Sequence, residues 1–190
     1  MTPPQGRSLL ADGDEPSFVG RLLALARRTA LEEGVGAVSP LRLARDAGVS
    51  RVAVDKRFRG RADLLAALQA DILGETAEVL LDALGGMSPR RPQALETLCR
   101  LWIAHWLEHP HLFRIAFPEG AAPPRTGPRE PLEALAPYFS EGLDGDDAGA
   151  RADLLLCALH GIVQAQLGPR PGAWTDPGDL VALAVAAARG

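Results

Sequence analysis

The chain has little sulfur, little aromatic surface and almost no lysine: two cysteines, two methionines, nine aromatic residues and one lysine among 190 residues. Cys99 and Cys157 fall in separate predicted helices without metal-ligand spacing. This excludes a disulfide scaffold and a cysteine-rich zinc module, and both are expected as buried thiols in a reducing cytoplasm. β-Branched residues are few, whereas Ala and Leu dominate, a composition that favours helix. No run of 18 apolar residues occurs, so no membrane-spanning helix is expected. The opening MTPPQGRSLLADGDEPS lacks the charged-then-apolar order of a signal peptide. No Ser-His-Asp order, glycine-rich phosphate loop or CxxC is visible, so neither an enzyme nor a cofactor is expected.

What is present is a concentrated positive segment. From Pro40 to Arg61 there are seven basic and two acidic residues, a local charge of +5 in a chain of net charge −4. An acidic protein that gathers its positive charge onto 22 residues has a candidate polyanion-binding face. The same stretch, LRLARDAGVSRVAVDKRFRGRADLL from Leu41 to Leu65, reads as two short helices and a tight turn feeding a third helix. Gly48 can take the positive φ that closes the first of them, and Ser50 can cap the next. Leu43, Ala44, Ala47, Val49, Val54 and Phe58 are spaced to form a small shared core. Arg51, Lys56, Arg57 and Arg59 are left facing out, with Arg61 opening the following helix. This is either a helix-turn-helix that lays a helix in the DNA major groove or an αα-hairpin with a solvated basic surface.

Taken in order, residues 1–16 are expected as a disordered tail. Phe18, Leu22, Leu25, Ala26 and Thr29 have helical spacing, stopped by Gly34 and Gly36. Ser39-Pro40 starts a second helix ending near Ala47, and a third spans about Arg51 to Phe58. A long fourth helix begins at Arg61, with Leu65, Leu68, Ile72, Thr76, Val79 and Ala83 as its inward stripe, and ends at Gly85-Gly86. A fifth runs from about Pro92 to His109, a sixth through HLFRIAF to Pro118, and a loop covers 118–131. A short seventh, about Leu132 to Glu141, is interrupted by Pro137. The eighth, Ala148 to Leu167, and the ninth, after Asp176-Pro177 to Arg189, are apolar on too many faces for a monomer's surface. They predict a two-fold homodimer.

At this point the residues resemble a known family. A first helix ending in E-x-G, then L-A-x-x-A-G-V-S (Leu43–Ser50), a basic segment closing at Phe58 and R-x-D-L-L from Arg61 are similar to the N-terminal domain of the tetracycline-repressor (TetR) family. The stretch WIAHWLEHPHLFRIAF resembles the fifth and sixth helices of one branch of that family's ligand-binding domains. The resemblance implies an all-α fold of about nine helices: a helix-turn-helix DNA-binding domain over 17–62 and a helical ligand-binding and dimerisation domain over 63–190. It implies a cytoplasmic homodimeric regulator, usually a repressor, that binds a palindromic double-stranded DNA operator and is released by a small molecule. The motif positions for base contacts fall on Arg51, Val52 and Ala53. Those for phosphate fall on Lys56, Arg57 and Arg61, the last where the family usually has lysine. Asp55 stands where a tyrosine is common, and Val52 where glycine is common. A carboxylate there repels phosphate, accepts from a cytosine N4 amine, or pairs with a neighbouring arginine to orient it.

An effector site is expected from the aromatics. Trp102, Trp106, Phe113, Phe117 and Tyr138 concentrate in one stretch of an aromatic-poor chain. His105, His160 and Gln164 could add polar contacts to an apolar cavity among the fifth to eighth helices, which would take a mostly apolar effector. His105 and His109 are one turn apart, but Trp106 stands where a zinc protease places its glutamate, so no metal site is expected. The alternative function is a helical dimeric module that binds a small molecule or protein and has lost operator reading, with Asp55 as the motive.

Overall fold

The computed structural model describes residues 17–118, 130–143, 147–169 and 175–189, and all regular secondary structure among them is helical. The expected N-terminal tail lies outside the described residues, as do 119–129 of the expected loop and 144–146 of the acidic turn. The elements are α1 (Phe18–Glu33), a 3₁₀ turn (Val35–Ala37), α2 (Pro40–Asp46), α3 (Arg51–Asp55), α4 (Arg61–Ala83), α5 (Ala94–Glu108) and α6 (Pro110–Ala116). A second 3₁₀ segment (Glu130–Leu135), α7 (Ala136–Ser140), α8 (Ala148–Leu167) and α9 (Pro177–Arg189) complete them.

The helix starts follow from local chemistry. The Ser17 hydroxyl accepts from the Gly20 amide, Ser39 from Arg42 and Ser50 from Ala53, each satisfying an amide with no partner inside its helix. Proline occupies the first turn of α2, α6 and α7, where the missing N–H costs nothing. Thus Pro110, expected to end the fifth helix, also begins the sixth, with His109 as the hinge between them. Pro137 likewise does not interrupt a single seventh helix. It separates a 3₁₀ segment from a short α-helix.

Three expectations need correction. The third helix is shorter than expected, ending at Asp55 rather than Phe58. Its last turn tightens, with the Arg57 amide donating to the Val54 carbonyl three residues back, and this brings Phe58 into the core. The inward stripe of α4 is Leu64, Leu68, Ile72, Thr76 and Leu80, with Leu73 and Ala77 beside it, whereas Leu65 is half-buried and Val79 and Ala83 are exposed. The i, i+4 line carries burial because α4 is covered along its length by α1, α6, α5 and the second 3₁₀ segment. Finally, Cys99 is buried but Cys157 is exposed on α8.

One continuous apolar core runs from Leu22 and Phe58 near the N-terminal helices to Val181 and Val185 in α9. α6 packs on α4 and also touches α1, so the C-terminal half rests directly on the N-terminal helices. The side-chain amide of Gln69 on α4 donates to the Ile115 carbonyl of α6 at 3.4 Å. Among the described residues no helix is long and apolar enough to cross a membrane.

Candidate nucleic-acid interface

The α2–α3 joint is tight because Gly48 sits at φ +65°, and because the Val49 amide donates to the Ala44 carbonyl at 2.9 Å. Leu43, Val54 and Phe58 are fully or almost fully buried beneath it. Each contributes on the order of 1.5–3 kcal/mol. The joint therefore holds α3 rigidly against α2 while its other face stays in solvent. On that face Arg51, Val52, Asp55, Lys56 and Arg57 are exposed and Ala53 is half-buried.

The seven basic residues of the segment divide into three kinds. Arg42 is bound by Glu33, through a fork of 2.7 and 3.0 Å, and by Asp46. This raises the Arg42 pKa and holds Glu33 and Asp46 below the ordinary carboxylate range. Arg45 also reaches Asp46, at 3.3 Å. Arg42 thus braces α1 to α2 rather than adding to a free positive face, whereas the exposed Arg45 pairs within α2 itself. Arg61 is used internally as well: its Nε donates to the Val38 carbonyl at 2.9 Å and its Nη2 to the Val35 carbonyl at 2.8 Å. It pins the start of α4 to the turn after α1, a use different from the phosphate contact its motif position implies. Arg51 donates from Nε to Asp55 Oδ1 at 2.7 Å. Lys56, Arg57 and Arg59 are left exposed, with no ion pair among the described residues. Arg59 was legible as outward-facing but carried no motif role. Its place is set by its own amide, which donates to Asp63 and caps the turn into α4.

The aromatic residues form a contacting cluster. Trp106 lies 5.7 Å from Trp102, 5.6 Å from Phe113 and 5.5 Å from Phe117, ring centre to ring centre. His160 of α8 closes it at 5.0 Å from both Phe113 and Phe117. His105 packs edge-on to Trp106 at 5.0 Å and to His109 at 4.8 Å. Tyr138 stands apart from these rings, and its hydroxyl donates to the Met87 carbonyl at 2.9 Å. Gln164 is half-buried one turn beyond His160. Trp106 is fully buried, and its indole N–H has no hydrogen-bond acceptor among the described residues. Burial keeps His105 and His160 below the ordinary imidazole pKa, and for His105 the adjacent His109 adds to the effect. Two depressions described on the molecule lie elsewhere: one of about 340 Å³ between α1 and α4, the other against the α2–α3 joint. No group of three or more His, Cys, Asp or Glu able to hold a metal occurs among the described residues.

A short recognition helix, capped, braced from behind and followed by cations with no ion pair among the described residues, is the working part of a DNA-binding transcription regulator rather than an enzyme. Residues 22–68 match the family model for bacterial regulatory proteins, tetR family, and residues 95–188 match that for the tetracyclin repressor-like C-terminal domain. The chain belongs to the tetR family. Among solved structures it is similar to a protein of unknown function from Rhodococcus sp. RHA1, at 25% identity and a TM-score of 0.63, over 96% of this chain and 97% of that one. It also shares its fold with a TetR/AcrR family regulator from Thermobifida fusca YX-ER1 (18% identity, TM-score 0.56, 90% and 96% covered). The fatty acid degradation regulator FadR from Bacillus halodurans has the fold too (14% identity, TM-score 0.56, 94% and 97% covered). No curated protein matches the sequence.

Proposed function

We propose that the chain is an effector-responsive repressor that works in the cytoplasm as a homodimer. Residues 17–62 read DNA; residues 63–190 bind the effector and dimerise. The observation that carries the DNA-reading half is the row Lys56, Arg57 and Arg59, exposed and with no counter-ion among the described residues, next to an Arg51 whose charge is already balanced. Two such faces, related by the two-fold axis of the dimer, would need to lie about 34–36 Å apart to enter successive major grooves of a palindromic operator. The dimer would form through α8 and α9, where Leu154 and Leu183 are 64% and 65% exposed. Pairing of Asp55 with Arg51 supports operator reading over a module that has lost it.

The effector reading rests on the ring cluster of Trp102, Trp106, Phe113, Phe117 and His160, with His105 and Gln164 at its edge. It is apolar, and the buried Trp106 N–H has no acceptor among the described residues; leaving such a donor unpaired costs about 1–3 kcal/mol. The effector is therefore mostly apolar with one acceptor atom. Phe113 belongs to α6 and Phe117 follows it directly, and α6 rests on both α4 and α1. A ligand that spreads the rings would move α6, and with it the separation of the two DNA-reading faces.

The test is selection of bound sequences from a random duplex pool at about physiological salt, followed by competition titration of the winner. Recovery of an inverted repeat supports the reading. A folded dimer that enriches nothing overturns it in favour of a module that binds a small molecule or protein. Candidate effectors are then ranked by release of the selected duplex, and Trp106→Phe should blunt the response to acceptor-bearing ones.

A further inference from the structure

The Arg51–Asp55 pair is placed where neither fold stability nor phosphate binding explains it. Both side chains are more than two-fifths exposed, and a solvent-exposed i, i+4 ion pair adds little to stability. The carboxylate also cancels the charge that Arg51 would bring to the phosphates, a task left to Lys56, Arg57 and Arg59. Arg51 is the first residue of α3, immediately after the Ser50 cap, and the N-terminal residues of a recognition helix are those that reach base edges. Asp55 engages Nε, at 2.7 Å, and the terminal amines Nη1 and Nη2 have no other partner among the described residues. That end of the guanidinium is the fork that matches a guanine, which presents two acceptors, O6 and N7, on its major-groove edge.

We propose that Arg51 and Asp55 form a guanine-reading unit, in which the two terminal amines of Arg51 donate to O6 and N7 of one guanine per half-site and Asp55 is the positioning residue that holds the fork. This deepens the operator reading and rests on it. Because the arginine is already held by Asp55, less rotamer freedom is lost when it meets the base. The neighbouring Val52 is 63% exposed and lies one residue along the same helix, so apolar contact beside the guanine comes from it rather than from a second polar reader.

The experiment takes the duplex selected by the full chain and replaces each guanine of the half-site in turn with 7-deazaguanine, which keeps the base pair but removes the N7 acceptor. One guanine is expected to be sensitive, with binding weakened about tenfold or more, and Arg51→Ala is expected to be indifferent to that replacement. Arg51→Lys, which keeps the charge but loses the fork, should weaken the preference for guanine without abolishing it. Asp55→Ala should bind unrelated duplex more tightly, because one anion is gone, and yet discriminate less at the same base pair. A merely structural role for Asp55 would weaken both alike. The proposal is overturned if every guanine tolerates the replacement, or if Asp55→Ala discriminates as the parent does. A pool that enriches nothing overturns the operator reading itself, and the guanine assignment with it.

Discussion

The hydroxyl of Thr76, on α4, lies 3.2 Å from Nε2 of His105, on α5, while donating its own proton to the Ile72 carbonyl at 2.8 Å. With that proton committed, Thr76 Oγ1 can only accept, so Nε2 of His105 carries a hydrogen and donates it. Burial, and then His109, hold the His105 pKa below its ordinary value near 6.5, against opposition from Glu108 and Glu75; burial alone does so for His160. A folded-state pKa below the unfolded one means that the unfolded chain takes up the proton first. Stability is then complete above about pH 6.5 and declines as the pH falls from there towards the folded-state values. Melting temperature measured between about pH 7.5 and 5.5 should drop at the acid end, and His105→Gln should flatten the drop. A flat parent profile would contradict the assignment.

Arg61 should behave as a fastener rather than a phosphate ligand. Arg61→Ala removes two hydrogen bonds from a charged donor to the Val35 and Val38 carbonyls. The expected loss is about 1–3 kcal/mol by urea denaturation, and Arg61→Lys should not restore it, because one ammonium cannot reproduce the fork. The salt dependence of DNA binding should keep its slope in Arg61→Ala. By contrast, Lys56→Ala, Arg57→Ala and Arg59→Ala should each lower that slope by about 0.9 without affecting stability. A lowered slope with unchanged stability in Arg61→Ala would return the residue to the phosphate contacts.

How far these features were legible depends on the distance over which they are determined. The α2–α3 joint is local: Gly48 must take positive φ, Ser50 must cap, and Leu43, Val54 and Phe58 have the spacing to meet. The register of α4 is not local. Leu64 and Leu65 are adjacent and both apolar, and only the helices packed around α4 decide that Leu64 is the one buried. The shrinking of the basic face was hidden for the same reason, since Arg42 is paired partly with Glu33 nine residues earlier and the guanidinium of Arg61 is tied down by two backbone carbonyls. Cys157 was misread because α8 is apolar all round, and an apolar neighbourhood in sequence does not distinguish core from an uncovered face. Trp102, Trp106, Phe113 and Phe117 pack in one ring cluster, whereas the hydroxyl of Tyr138 is drawn to Met87, just past the end of α4.

Two glycines should resist substitution for different reasons. At Gly142 a Cβ would lie 2.7 Å from the Tyr138 carbonyl oxygen and 2.8 Å from Leu95 Cβ, so Gly142→Ala overpacks the junction of α7 with α5. A cost of about 1–3 kcal/mol is expected. At Gly48 nothing lies within 4 Å of a built Cβ, and only the φ of +65° is at stake. Gly48→Ala should cost about 1 kcal/mol, and Gly48→Asn less, because asparagine tolerates the left-handed region. Equal tolerance of Ala and Asn at Gly48 would mean that the joint can relax.

The exposed face of α8 and α9 offers a test of the dimer that does not depend on DNA. Leu154, Cys157 and Gly161 fall at i, i+3 and i+7 on α8 and all are exposed, as is Leu183 on α9. Their side chains contribute little to the monomer's core, so Leu154→Arg or Leu183→Arg should leave the helical circular dichroism intact while converting the chain to a monomer in sedimentation. Operator affinity should fall with it, because each half-site would then be bound alone. The cysteines supply an internal reporter. Burial pushes the Cys99 thiol up to about 12, which leaves it unreactive near neutral pH, so a thiol reagent reads Cys157. In the parent dimer Cys157 should be labelled slowly, being covered by the second copy, and in Leu183→Arg rapidly. Fast labelling of Cys157 in a parent that sediments as a dimer would mean that the two copies meet through another surface.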